Sequence, residues 1–451
     1  MGTFYLLSFL VLCLFIVPII YEINTNKFDV FNIKNGFLFY LVLQVLVSGL
    51  ISINIDFDEV TSLSLKYSGT QLIYFNKAIL ALFLALFFFQ LGYYLTKKSI
   101  KIPSKFPQNF KNRRVNFCLA IFIFIGYVSF LILINNNGGL RSFVENIETF
   151  RAGGLVGQGF LIYPATRLMS ISVCIYLIYI LSNKFIPGNN KKTFVIIILS
   201  LIPSYFMGFR SFLIIPFISF SLIYNYAYRK FSIKSIFLSF SALIILFTSL
   251  GIYRAIPKDI NINYNALINI AKEKPQLVYS FLVRSKGTEV LASVIKDMED
   301  NGNYELGYKS AIEMSTIIIP KSIWKNKPIP SSIRFTNRFF GDLLNYKRNV
   351  FKDDWSGISP TILGELFWNF GWFGITLGMF VLGLIYKIIY LTFLRNKHNN
   401  FVLLIYALIF PSLCLSAESF QGYFNGLSLD FYFFIFTLLI INSYFKLVQK
   451  S

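Results

Sequence analysis

An all-α polytopic membrane protein is the fold class this chain predicts, and three observations predict it. Of 451 residues, 55% are hydrophobic and 14% charged, against roughly one quarter charged in a soluble protein, and the mean hydropathy is +0.62. Eleven apolar stretches are long enough to cross about 30 Å of hydrocarbon. The lysines and arginines flank those stretches in an alternating pattern rather than forming a soluble basic face.

The predicted spans fall at about 3–21, 36–55, 72–96, 115–134, 160–182, 193–208, 211–228, 233–252, 360–390, 401–417 and 428–446. The first lacks a basic leader and an Ala-x-Ala-like site, so it is read as a retained helix rather than a cleaved signal. The loop from Lys97 to Arg114 carries seven basic residues and no acid, which makes it cytoplasmic by the positive-inside rule. Alternation then puts Lys191, Arg229 and Arg395 on the same side, and the acidic loop with Asp56, Asp58 and Glu59 on the other. An odd span count leaves the N-terminus outside and the C-terminus inside.

One connection breaks the pattern. Residues 253–359 hold 16 Lys or Arg, 11 Asp or Glu and only short apolar runs, too long for a connector. The expected organisation is therefore eight spans over 1–252, an extracytoplasmic loop subdomain over 253–359, and three spans over 360–451. Within the subdomain, Gln276 to Asp300 shows apolar residues at helical spacing, as an amphipathic helix lying along the bilayer surface would. Ile317 to Ser332 contains three prolines and must be irregular.

The net charge of +21 does not point to nucleic acid, because the basic residues border apolar segments; anionic headgroups or a phosphorylated lipid fit better. Cys13, Cys118, Cys174 and Cys414 lie in apolar runs without paired or metal-like spacing and read as packing residues. The one histidine, His398, falls in a cytoplasmic loop, so no histidine base works outside. No phosphate-binding glycine loop and no convincing catalytic Asp-x-Asp pair is present. No cofactor and no metal is expected.

On the outer side, Arg210 sits in a tight hairpin after Gly208, with Arg254 on the next outward span and Arg284 and Lys286 on the amphipathic stretch. Arg210 either anchors the hairpin at the headgroups or grips an anion, and the neighbouring arginines suit a diphosphate. Arg338 belongs to the same loop; Arg334, Lys347 and Arg348 read as a solvated basic face. Among carboxylates, Glu289 reads either as a surface partner of Lys286 or as a catalytic group. Glu365 reads either as a helix-dipole residue or as a functional one, in a glycine-rich setting of Gly357, Gly364, Gly371 and Gly374. An Asp or Glu base with arginines on a phosphorylated leaving group is the simplest chemistry left.

The motifs "GFR" (208–210), "YR" (253–254), "IPKSIWKNKP" (319–328) and "GISPTILGELFWNFGWFGITLGMFVLGLI" (357–385) resemble those of Wzy-type O-antigen and oligosaccharide repeat-unit polymerases, and the helix layout covers nearly the whole chain. The resemblance implies a metal-independent inverting glycosyltransferase of the bacterial inner membrane. It would use undecaprenyl pyrophosphate-linked oligosaccharide on the periplasmic or outer face, with a chain-length regulator and a flippase as partners besides membrane lipids. Carried over, Arg210 and Arg254 hold the donor diphosphate and Glu365 or Glu289 serves the acceptor hydroxyl. Arg284, Lys286, Arg338, Lys327 and Trp324 are carried as substrate-binding residues. A flippase of the same lipid-linked sugars and an O-antigen ligase are the competing readings. The first needs ionisable residues deep in several spans, and the second is associated with an outer histidine that this chain lacks.

Overall fold

The computed structural model describes residues 1–54, 71–101, 112–145, 159–182, 189–207, 210–232, 287–302, 304–309, 331–339 and 360–415, together with 234, 235, 238, 241, 311, 312 and 324. Among the described residues the fold is entirely helical, without strands. In chain order the helices are α1 (Gly2–Asn24), α2 (Ile33–Val42), α3 (Ser48–Asn54), α4 (Gln71–Leu95), α5 (Asn112–Asn136), α6 (Gly139–Glu145) and α7 (Gly159–Tyr163). They continue with α8 (Met169–Ser182), α9 (Asn189–Phe206), α10 (Arg210–Ala227), α11 (Gly287–Asn301), α12 (Ser331–Phe339), α13 (Ile362–Asn396) and α14 (Asn400–Leu415). Two π-helical turns, Leu43–Val47 and Pro164–Leu168, join α2 to α3 and α7 to α8.

Among the described residues, six stretches are long and apolar enough to cross a membrane: Gly2–Asn24, Ile33–Ile53, Leu72–Leu95, Val115–Asn136, Leu161–Ser182 and Ile362–Asn396. Leu213–Ala227 and Asn400–Leu415 are shorter apolar helices, and the predicted span at 193–208 is α9. The predicted spans at 428–446 and, save for a few residues, 233–252 lie outside the described residues. The exposed surface is itself apolar, with Leu6, Phe9, Phe124, Leu131 and Phe373 turned outward. Residues that hydrocarbon rather than water must solvate belong there.

The centre of the bundle is the pairing of α4 with α13. A Cβ on Gly92 would strike the Phe380 carbonyl, and one on Gly383 would strike the Phe89 carbonyl and the Tyr93 amide nitrogen. Reciprocal glycines thus let two backbones touch, and close contact is the main source of helix association where lipid gives no hydrophobic drive. Gly36 does the same for α2 against Cys414 of α14. Around this axis Phe37, Phe89 and Tyr386 interlock with ring centroids 5.1–5.5 Å apart.

Side-chain contacts identify the two ends of the bundle. At the basic end, Lys34 is fully buried, paired with Glu22, and donates to the Tyr94 hydroxyl at 3.0 Å. Asp29 accepts from the Tyr226 hydroxyl, from Tyr390 at 2.7 Å and from the Phe31 amide at 3.1 Å. The Lys387 ammonium sits 4.5 Å over the Tyr93 ring. The loop between α1 and α2 is therefore tied to α4, α10 and α13 by charge-assisted bonds, none of which its near-neutral sequence announces. At the opposite end lie the start of α4, the end of α3, α11, α12 and the start of α13.

Two expectations fail here. The amphipathic stretch does not lie on the surface: its described part, α11, is buried from Gly287 to Val294 and packs between α3, α4 and α13. Nor is 360–390 one straight span. Phe370 and Gly371 have non-helical backbone angles, with Gly371 at φ 60°, and split α13 into a short limb, 362–369, and a long one, 372–396. A Cβ on Gly374 would meet the Leu366 carbonyl and one on Gly378 the Leu366 side chain, so the short limb folds back beside the long one. The glycines that the sequence offered to a lipid or neighbouring helix serve this hairpin.

Candidate active site

At the end away from the basic loops, α11 enters the bundle with its N-terminus against the π-turn of the second span. A π-turn shifts the helical hydrogen-bond register and releases a carbonyl. Here Val45 O accepts from the Ser48 backbone amide, from the Thr288 hydroxyl and, at 3.1 Å, from the Ser48 hydroxyl. Ser48 Oγ in turn accepts from the Thr288 amide at 3.1 Å, so a serine on one helix caps the start of another. The approach needs glycine on both sides: Cβ atoms on Gly49 and Gly287 would meet Thr288 and the Gln44 carbonyl. Gln44, Ser48 and Ser52 form a polar line at four-residue spacing along this span. Ser52 donates to the Glu289 carboxylate at 2.9 Å.

The short limb of α13 packs on α11, with Gly364 in van der Waals range of Val294. Its cap is Thr361, whose Oγ1 accepts from the Gly364 amide at 3.0 Å. Thr361 has φ 62° and ψ 154°, a region held almost solely by glycine, and a β-branched residue there costs on the order of 1–3 kcal/mol. Such strain survives only where the surroundings over-determine it. One turn on is Glu365, 4% exposed, while Glu289 is 7% exposed. Two carboxylates are thus buried on a pair of packed helices at one end of the bundle.

The break in α13 frees backbone carbonyls, and the segment 305–307 takes them. Glu305 N donates to Trp368 O at 3.2 Å, Leu306 N to Asn369 O at 3.3 Å and Gly307 N to the Asn369 side chain at 2.8 Å. Asn369 Nδ2 bonds back to Glu365 O at 2.8 Å, which fixes the limb carrying Glu365. Glu305 holds Arg334 at 2.6 Å and Lys309 at 3.1 Å, and the Arg334 guanidinium lies 5.7 Å over the Trp368 ring. Below the break, an apolar groove of about 360 Å³ runs along the lipid-facing side of the long limb from Leu366 and Phe370 to Ile385. Among the described residues, no three His, Cys, Asp or Glu side chains converge as a metal site would require.

A family model described as O-antigen polysaccharide polymerase Wzy matches residues 2–450. The chain belongs to the Wzy polymerase family. Neither a curated protein nor a solved structure matches it. Membership makes this an integral membrane polymerase of O-antigen synthesis, with glycosyltransferase-like activity on a lipid-linked oligosaccharide.

Of the residues that the sequence offered for this Wzy polymerase, Glu289 and Glu365 are both buried, on helices that pack against each other. Burial overturns the reading of Glu289 as a surface partner of Lys286. Arg210 is the first residue of α10, four positions after Phe206, the last residue of α9. Arg338 donates from Nε and Nη2 to one oxygen of Asp297 of α11, Oδ2, at 3.0 and 2.6 Å, and Trp324 is partly exposed. Arg254, Arg284, Lys286 and Lys327 lie outside the described residues. Arg334 is not a solvated basic residue: its side chain is 17% exposed, paired with Glu305 and stacked on Trp368. Glu305, Thr361, Asn369 and the Gln44–Ser48–Ser52 line went unseen. Only the last left a trace in the sequence, as polar residues repeating every four positions through an apolar run.

Proposed function

We propose that this Wzy polymerase transfers a growing glycan from undecaprenyl pyrophosphate to the next lipid-linked repeat unit on the extracytoplasmic face, without a metal and with inversion. A hydroxyl at the nonreducing end of the incoming unit attacks the anomeric carbon of the donor chain's reducing-end sugar. The bond from that carbon to the diphosphate oxygen breaks, and undecaprenyl pyrophosphate leaves with the bonding electrons. The hydroxyl proton passes to a carboxylate, Glu289 or Glu365. Arg210 and Arg254 neutralise the departing diphosphate, with Arg284, Lys286, Arg338, Lys327 and Trp324 around the substrate.

The observation that carries this reading is the pair of buried carboxylates on packed helices at the end opposite the basic loops. Burying a carboxylate is costly, and two buried ones on neighbouring helices suit proton transfer better than packing. The apolar groove beside the same hairpin offers the polyprenyl tail a lateral berth. A flippase is disfavoured because the polar layers at the two ends are separated by apolar packing of Phe37, Leu41, Phe89 and Tyr386.

The test is glycan length in cells carrying Arg210→Ala or Arg254→Ala. Inserted protein with single-unit glycan in place of long chains is the expected result. Normal chain length in both variants removes the proposed diphosphate role.

A further inference from the structure

We propose that the N-terminus of α11 and the side-chain amide of Gln44 together form the seat of the diphosphate in a glycosyl diphosphate substrate. This rests on the functional reading above and specifies where its leaving group binds. Gln44 is 3% exposed, and among the described residues neither its Nε2 nor its Oε1 has a hydrogen-bond partner. A buried primary amide whose hydrogen bonds are unmade is destabilising, so Gln44 calls for a ligand. Its position says which one. Gln44 Cγ lies 3.0 Å from where a Gly287 Cβ would be, so the side chain crosses the first turn of α11.

That helix is 15 residues long and concentrates about half a positive charge at Gly287, the arrangement that binds phosphate groups in many folds. Helix ends within membranes hold anionic substrates in the same way. Beside it, the Thr288 hydroxyl donates to Val45 O, and one oxygen of the Glu289 carboxylate accepts from Ser52. Ser52 lies eight positions from Gln44 along one span, about 12 Å at 1.5 Å per residue. Arg284 and Lys286 stand directly before the helix in the sequence. The amide divides its work: Nε2 donates to a phosphate oxygen, and Oε1 accepts from a hydroxyl of the attached sugar. The reacting bond then lies between this seat and Glu289.

The experiment measures binding of a polyprenyl diphosphate, inorganic pyrophosphate and a polyprenol to the full-length protein in detergent, for wild type, Gln44→Leu and Gln44→Glu. The wild type binds the polyprenyl diphosphate, and inorganic pyrophosphate displaces it. Gln44→Leu weakens that binding about tenfold, the size of one hydrogen bond to a charged group. Gln44→Glu weakens it further, and polyprenol binding stays unchanged in both. If Gln44→Leu does not fold, Gln44→Asn, with its amide withdrawn by one methylene, shows the same loss. Unchanged diphosphate affinity in the folded variants overturns the seat, as does displacement by polyprenol but not by pyrophosphate. A wild type that binds diphosphate through Gln44 yet extends no glycan upholds the seat and removes the polymerase reading.

Discussion

Glu305 anchors the break in α13, and its removal has a calculable cost. Glu305→Ala leaves the Arg334 guanidinium largely buried against Trp368 without its carboxylate. Deleting one partner of a buried ion pair costs about 3–5 kcal/mol. Arg334 keeps partial solvent access, so the lower end, about 3 kcal/mol, applies. The second partner, Lys309, is half exposed and contributes less than about 1 kcal/mol. Arg334→Met alone leaves Glu305 with only Lys309 and costs about 2 kcal/mol. Because the two losses are largely the same loss, the double variant Glu305→Ala/Arg334→Met is expected to be milder than the sum by about 2 kcal/mol. The assay is a double-mutant cycle on unfolding of the solubilised protein in mixed detergent. Additivity within about 0.5 kcal/mol refutes the coupling, and with it the claim that this pair fixes the backbone supporting Glu365.

Further expectations follow from the same geometry. Glu289→Gln and Glu365→Gln keep the packing; loss of the one that takes the proton lowers the polymerisation rate by about 10²–10⁴, whereas the other costs far less, and rates from purified protein tell them apart. Gly383→Ala forces a methyl into the Phe89 carbonyl and destabilises by about 1–3 kcal/mol, read from the unfolding midpoint. Asp29→Ala strips the acceptor shared by Tyr226 and Tyr390 and costs about 3 kcal/mol, while polymer formed per folded molecule is unchanged.

The helical membrane class and most described spans were legible because hydrocarbon demands long apolar helices, and composition alone records that demand. The break at Phe370–Gly371 was not, because an apolar run looks the same whether it crosses once or turns back; only the closeness of Leu366 to Gly374 and Gly378 reveals the hairpin. Glu289 and Glu365 were visible as carboxylates with two readings each. Burial decided against the surface reading of Glu289, which depended on tertiary packing that periodicity cannot see. Arg334 was misread for the same reason: its partner, Glu305, is distant in sequence and drawn near by the carbonyls of a broken helix. The network around Asp29 joins four helices through tyrosine hydroxyls, which carry no charge for a sequence to display.

Reconstituted polymerisation tests the central claim most directly: purified protein in lipid, supplied with repeat units on undecaprenyl pyrophosphate and with no nucleotide sugar. Glycans lengthening in steps of one repeat unit, with undecaprenyl pyrophosphate released in step, are the expected result. Repeat units that cross the bilayer or remain single while the protein is folded contradict it.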